Sequence, residues 1–232
     1  MNKKKKVVLL VLGMAVVGIL LSRKSKSQDK RTVRQAIAGM TEDEKYDYFA
    51  SFIPANGGVF KPGLNEKNLV GLRVSTNTNT NQGKGAYDDL FVLVWKDSSG
   101  RKRAVEYPGN TEPSAFYRGR MGVDVDKDGR LDQGRLAPGF FEYVPSTSPK
   151  LGNILRPIRD SKVERDVNQD GLFNDAATSG GGVTMLIHTG GTSNVVSAGC
   201  QTMPPPDFKR FLADVHSGGI PGTVGYTLVS ID

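Results

Sequence analysis

One cysteine and two histidines are all the thiol and imidazole chemistry in this 232-residue chain. Cys200 closes the tetrapeptide "SAGC", and His188 stands twelve residues earlier, at the end of the apolar run "VTMLIH". A neutral thiol is a poor nucleophile. It needs a base or a lowered pKa, and donors aimed at the oxyanion that forms when it attacks a carbonyl. Gly199 lets backbone approach a substrate closely, and the glycine-rich "HTGGTSN" can curl Cys200 back towards a strand end that carries His188. Such a pair suits covalent acyl transfer. The same residues also read as a small buried hydrophobe and a stray imidazole. A zinc site is a third option, and it would need carboxylates from elsewhere to complete four ligands. His216, in "DVHSGG", is the other candidate base, and at a helix C-terminus it equally serves as a cap.

Two acidic loops carry a second kind of chemistry. "DVDKDGRLD" places Asp124, Asp126, Asp128 and Asp132 at positions 1, 3, 5 and 9, with Gly129 at 6. "DVNQDGLFND" repeats the pattern with Asp166, Asn168 and Asp170, then Gly171 at 6 and Asn174 at 9. Alternating oxygens closed by a turning glycine are how a short loop wraps a hard cation, so a structural calcium ion is the expectation. Position 12 is Arg135 in one loop and Ala177 in the other, where an EF-hand has a bidentate Glu. The competing reading is a pair of Asx-rich turns.

The elements that must position these residues are mostly strands. "DDLFVLVW" and "RKRAVEY" around "KDSSG" predict a β-hairpin. "GVTMLIHT" reads as a strand ending near His188, and "GTVGYTLVSI" as a closing strand. Between them, "PPPDFKRFLADVHSGG" predicts a helix with Phe208, Phe211, Leu212 and Val215 on its apolar face, ended by Gly218. Upstream, "MTEDEKYDYFASFIP" opens with a capping box, Thr41 with Glu44, and Pro54 is expected to stop it. The polar stretch around "STNTNTNQGKG" is left without assigned structure.

The net charge of +7 would raise nucleic acid as a partner, but its distribution argues against that. Residues 1–31 carry a balance of +8, leaving the remaining 201 residues at −1. The basicity flanks fifteen uncharged residues, Val7 to Leu21, about 22 Å long as a helix. Snorkelling lysines can fit so short a span to a bilayer, and no small-x-small cleavage site follows, so an uncleaved transmembrane anchor is expected. The expected organisation is an anchor at 1–22, a linker with a short helical segment at 23–67, and a catalytic domain at 68–232. A single cysteine rules out an intramolecular disulfide.

Residues 183–231 resemble the C-terminal half of the L,D-transpeptidase (YkuD-type) catalytic domain. The resemblance lies in an "IH-x-G" strand end, "S-x-G-C", the helix "PDFKRFLADV" and the strand "GTVGYTL". It implies a mainly β, sandwich-like fold with a few short helices, acting on peptidoglycan stem peptides without a catalytic cofactor. By the same resemblance Cys200 is the acyl-enzyme nucleophile and His188 its base. Ser197 orients, Gly199 shapes the oxyanion pocket, and the carbonyl of Thr189 or Gly190 holds the imidazole. Thr189, Gly190, Gln201 and Thr202 are then the expected substrate-binding residues. Ala198 stands where the cross-linking enzymes usually have His, and Thr202 where an arginine is expected. The "GCQT" sequence is similar to phage-type or toxin-like hydrolytic variants, which implies a lysis or virion-associated peptidase. Cross-link formation by a true transpeptidase is the second implied activity. A non-catalytic, calcium-stabilised wall-binding or virion protein is the alternative from another class. An anchored enzyme would face the periplasm or cell wall, or sit in a virion membrane.

Overall fold

The computed structural model describes residues 30–231. Among these no helix is long and apolar enough to cross a membrane. The expected anchor, Val7 to Leu21, lies outside the described residues.

The fold is mainly β, with few helices. The strands are β1 (Lys67–Arg73), β2 (Asp89–Lys96), β3 (Lys102–Gly109), β4 (Gln133–Leu136), β5 (Gly139–Ser148), β6 (Gly152–Pro157), β7 (Val163–Asp166), β8 (Thr178–Ser179), β9 (Ile187–Thr189), β10 (Gln201–Met203) and β11 (Val224–Ser230). The α-helices are α1 (Lys30–Ile37), α2 (Glu42–Ala55) and α3 (Pro205–His216). Eight strands form one sheet in the order β10-β9-β6-β5-β11-β1-β2-β3, and β4-β7-β8 form a second. The large sheet curls almost into a barrel. Just past β3, Asn110 exchanges both backbone hydrogen bonds with Thr202 of β10, each 2.8 Å long. The layers are therefore one nearly closed sheet with a small sheet beside it, rather than two stacked sheets of similar size.

The expected hairpin forms, with β2 and β3 paired from Asp89↔Gly109 to Lys96↔Lys102. Its first strand is apolar on both faces because both faces are covered. Phe91, Leu93 and Trp95 face a core shared with Tyr107, Tyr143, Tyr226 and the Phe208, Phe211 and Val215 stripe of α3. Leu90, Val92 and Val94 face a second core closed by Val33 and Ile37 of α1 and by Tyr46, Phe49 and Ile53 of α2. The Thr41–Glu44 capping box starts α2, which runs one residue past Pro54 before Asn56 caps it. Arg103 to Glu42 at 2.8 Å and Lys45 to Glu106 fasten α2 along β3. The helical segment therefore shares a core with the sheet.

One expectation needs correction. The run 182–189 is not a single strand: a 3₁₀ turn, Gly182–Thr184, precedes a three-residue strand β9. The Asp160 carboxylate collects the N–H groups of Gly181 and Val183, at 2.9 and 3.1 Å, so they never join a ladder. His188 consequently sits mid-strand and not at the tip of a long one.

Because α2 closes one of two cores, Phe49→Ala is expected to destabilise the protein by ~3–5 kcal/mol, with one cooperative transition retained. Urea unfolding followed by far-UV circular dichroism checks this. A separate early transition for the helical segment would contradict it.

Candidate active site

The parallel pairing of β9 with β10 decides where the imidazole stands and brings the turn that carries Cys200 up to it. The register is Gln201↔Ile187, Thr202↔His188 and Met203↔Thr189. Ile187 and Met203 face the inner core. By alternation His188 and Thr202 lie on the opposite face. Cys200 precedes β10 and lies outside the ladder, and its thiol is within electrostatic reach of the core residue Tyr143. The pairing brings the backbone of Cys200, one residue before β10, up to the strand that carries His188, and no contact joins the thiol to the imidazole among the described residues.

His188 is buried, and its Nδ1 lies 2.7 Å from the Thr189 carbonyl oxygen. Of the two carbonyls expected to hold the ring, it is that of Thr189. Burial holds the imidazole pKa below its ordinary 6.5, against a smaller upward pull from that carbonyl. The neutral ring then donates through Nδ1–H, and Nε2 carries the free lone pair of a base. Nε2 has no hydrogen-bond partner among the described residues.

The Cys200 thiol is also neutral at rest. Burial pushes its pKa up to about 11, and the Leu186 N–H offsets part of that rise. Sγ donates to the Thr184 carbonyl at 3.5 Å, so in this conformation it rests on the 184–186 segment and not on His188. Tyr143, which sequence reasoning missed, fixes that segment through a 2.7 Å hydrogen bond from its hydroxyl to the Met185 carbonyl. The sequence offered only an aromatic in an apolar stretch, with no sign of this partner. Two neutral groups favour attack with concerted proton transfer over a standing thiolate–imidazolium pair.

The turn before Cys200 is held by Ser197. Its buried hydroxyl donates to the Cys200 carbonyl at 2.8 Å and accepts the Gly199 N–H at 3.0 Å. Ser197 therefore acts on the turn rather than on the base, and the Gly199 N–H is occupied. The Cys200 N–H makes no hydrogen bond among the described residues, which leaves it as the donor beside Sγ. Gly199 adopts φ +134°, and a Cβ there would stand 2.3 Å from the Gly134 carbonyl oxygen. No other residue fits that backbone and that contact. Ala198 is partly exposed in the same turn.

Of the expected substrate-binding residues, Thr189 and Gly190 are partly exposed. Gln201 and Thr202 are fully buried. Gln201 donates to the Gly199 carbonyl at 3.3 Å, and Thr202 pairs with Asn110, so both serve the sheet and the turn. Tyr87 donates to the Gly191 carbonyl at 2.8 Å and packs where a Cβ on Gly190 would be, bracing the "TGG" loop from the polar 74–88 segment. His216 lies in the last turn of α3. Neither His188 nor Cys200 belongs to any group of three metal-ligating side chains among the described residues, so the zinc reading has no support in the geometry.

The acidic loops flank the small sheet. Carboxylate oxygens of Asp124, Asp126 and Asp128 all lie within 4.8 Å of one another. Asp132 is buried and takes the Val125 N–H at 2.8 Å. In the second loop Asp166 takes the Gly171 N–H at 3.1 Å. The counterpart of Asp132 there is Asp175, which takes the Val167 N–H at 2.9 Å, and not Asn174. One extra residue in that loop hid it from the spacing. Burial raises the Asp166 pKa, with Asp170 and Asp175 adding to the rise. Arg135, at position 12, is engaged by Glu112 and Glu164 as a buried ion pair.

Comparison of the chain with family models, curated proteins and solved structures finds no match.

A neutral resting thiol has a kinetic signature. Alkylation of Cys200 by iodoacetamide, followed by intact mass, should rise about tenfold per pH unit from neutral pH towards about 11, because only the thiolate reacts. A plateau between roughly pH 5 and 8 would mark a preformed ion pair and overturn this assignment.

Proposed function

We propose that the chain is an L,D-transpeptidase-like cysteine peptidase that cuts peptidoglycan stem peptides through a Cys200 acyl-enzyme. The observation that carries this reading is the β9–β10 ladder. It brings Cys200, the residue before β10, up to the strand of His188, whose Nδ1 is tied to the Thr189 carbonyl and whose Nε2 has no hydrogen-bond partner among the described residues. The rest of the reading draws on the sequence resemblance of residues 183–231, which implies the polymer, the sandwich-like fold class and the enzyme family.

In this account Sγ leaves the Thr184 carbonyl and turns towards Nε2. The imidazole takes the thiol proton as Sγ attacks the stem-peptide carbonyl. The oxyanion is met by the Cys200 N–H, and His188, now protonated, gives its proton to the departing amine. His188 then takes a proton from water, which attacks the thioester and releases the acid and the free thiol. Ser197 and Gly199 shape the turn, while Thr189 and Gly190 border the approach. An N-terminal anchor at 1–22 would keep the enzyme beside its polymer, as suits a lysis or virion-associated role at the periplasmic or wall side. An amine in place of water would make the same acyl-enzyme a cross-linker.

Mass-spectrometric muropeptide profiles of purified sacculi test the reading. Wild type is expected to produce new fragments and Cys200→Ala none, with the fold intact by circular dichroism. Unchanged profiles with wild type, together with sacculus binding, would support a non-catalytic wall protein instead. Addition of a free D-amino acid separates hydrolysis from transfer: exchanged muropeptides would assign transpeptidation.

The lowered His188 pKa sets the acid limb. Activity should stay level as pH falls to 6.5 and decline only below it, where the base becomes protonated. The same sign applies to stability. An unfolded chain protonates His188 first, so this residue's contribution is present above pH 6.5 and is lost as pH falls through the folded value. A limb centred above 6.5 in kcat/KM would contradict the burial argument.

A further inference from the structure

We propose that both acidic loops bind a divalent cation of the calcium class, and that the two ions hold β4 against the turn that presents Cys200. The metal sites stand on the loops alone. Their effect on the thiol rests on the reading of Cys200 as the nucleophile.

The two loops share one conformation. Position 4 has positive φ in each, Lys127 at 64° and Gln169 at 58°. The first carboxylate accepts the N–H of the glycine at position 6 in each, at 3.0 and 3.1 Å. That likeness describes a turn and does not require a ligand. The buried oxygens do. Asp132 is 0% and Asp166 1% exposed, and Oδ1 of each has no hydrogen-bond partner. Asp124 Oδ1 is in the same state. Among the described residues these are the only carboxylate oxygens left both buried and unpartnered. An ionised carboxylate can only accept, so a buried oxygen of this kind calls for a cation.

The donor sets suit calcium. The first loop offers Asp124, Asp126, Asp128 and Asp132, and the mutual 4.8 Å spread of its first three matches two ligand radii of 2.3–2.6 Å. Arg130 holds Asp128 from solvent and can swing away, being about half exposed. With Asp175 recognised, the second loop offers Asp166, Asn168, Asp170 and Asp175, and its three carboxylates do not all lie within 4.8 Å of one another and would close on the ion as it binds. Oxygen-only donors in a pliable loop favour calcium over magnesium, which demands a rigid octahedron and keeps its waters.

The coupling follows from register. Gln133↔Asp166 begins the β4–β7 ladder, so the first loop enters and the second leaves at the same end of the small sheet. From that end Gln133 Nε2 donates to the Ser114 carbonyl at 2.9 Å, and the Ser114 N–H donates to the Ser197 carbonyl at 2.8 Å. The next residue, Gly134, is the one whose carbonyl presses on Gly199. The second loop also holds the 74–88 segment, since the Gly171 carbonyl accepts the Thr78 N–H at 2.9 Å.

Isothermal titration of the full chain, stripped with chelator and kept in detergent, is the test, with calcium chloride as probe and magnesium chloride as the competing arm. The expected result is two calcium sites per chain, a raised melting temperature, and loss of one site in Asp124→Asn and of the other in Asp166→Asn. Terbium luminescence on unmutated protein gives the same stoichiometry should a variant fail to fold. Calcium should also slow Cys200 alkylation at fixed pH by roughly threefold or more, by suppressing local opening of the turn. Absence of calcium heat and of any melting shift overturns the metal sites and leaves the acyl-transfer reading untouched. Two bound ions with an unchanged alkylation rate overturn the coupling. Intact calcium binding without new muropeptides supports the metal sites and sinks the peptidase instead.

Discussion

A ladder only three residues long sets the arrangement of His188 and of the turn that carries Cys200. Parallel pairing of Ile187–Thr189 with Gln201–Met203 sends Ile187 and Met203 into the core and turns His188 to the other face, with Cys200 immediately before the ladder. A shift of one residue in that register would reverse the faces, burying the imidazole in the apolar core. The hydrophobic pair Ile187 and Met203 therefore specifies the site as much as the polar residues do. Neighbouring structure secures so short a ladder. The Asn110–Thr202 exchange closes the sheet on one side, and β6 meets Ile187 on the other.

Around this ladder the fold spends buried polar groups on loops. Asp89, wholly buried, collects the Val74 N–H and both donors of Thr111, and burial with the nearby Glu112 raises its pKa to about 7. Arg73, Glu112, Arg135 and Glu164 form an ionic cluster next to it. Breaking such a cluster at one member strands a charge, so Glu112 anchors the 110–114 segment in place. That segment is the one that braces Ser197. The hydrogen bonds that hold the 197–200 turn thus lead back to charges well removed from Cys200 in sequence.

Much of this was legible in the sequence where one signal dominated. The capping box of α2, the hairpin, α3 with its Phe208–Phe211–Val215 stripe and the alternating β11 are each strong local patterns. The strands of the small sheet were not legible, because "QGRL", "VERD" and "TS" are short and mostly polar, and pair only through tertiary contacts. Cys200 and His188 could be named as a candidate pair, whereas the burial of Gln201 and Thr202 depends on sheet closure and is invisible to spacing. Asp175 escaped because the second loop is one residue longer than the first. Tyr143 and Tyr87 act on backbone carbonyls through tertiary hydrogen bonds, for which a single sequence carries no mark.

The central claim is that Cys200 forms a covalent bond to substrate. Intact-protein mass spectrometry of the full chain, quenched in acid soon after mixing with soluble muropeptides, tests it most directly. The account predicts a hydroxylamine-labile adduct of stem-peptide mass on Cys200, absent from Cys200→Ala and formed far more slowly in His188→Gln. Fragmentation of muropeptides with no adduct on Cys200, or with full activity retained in Cys200→Ala, would contradict it.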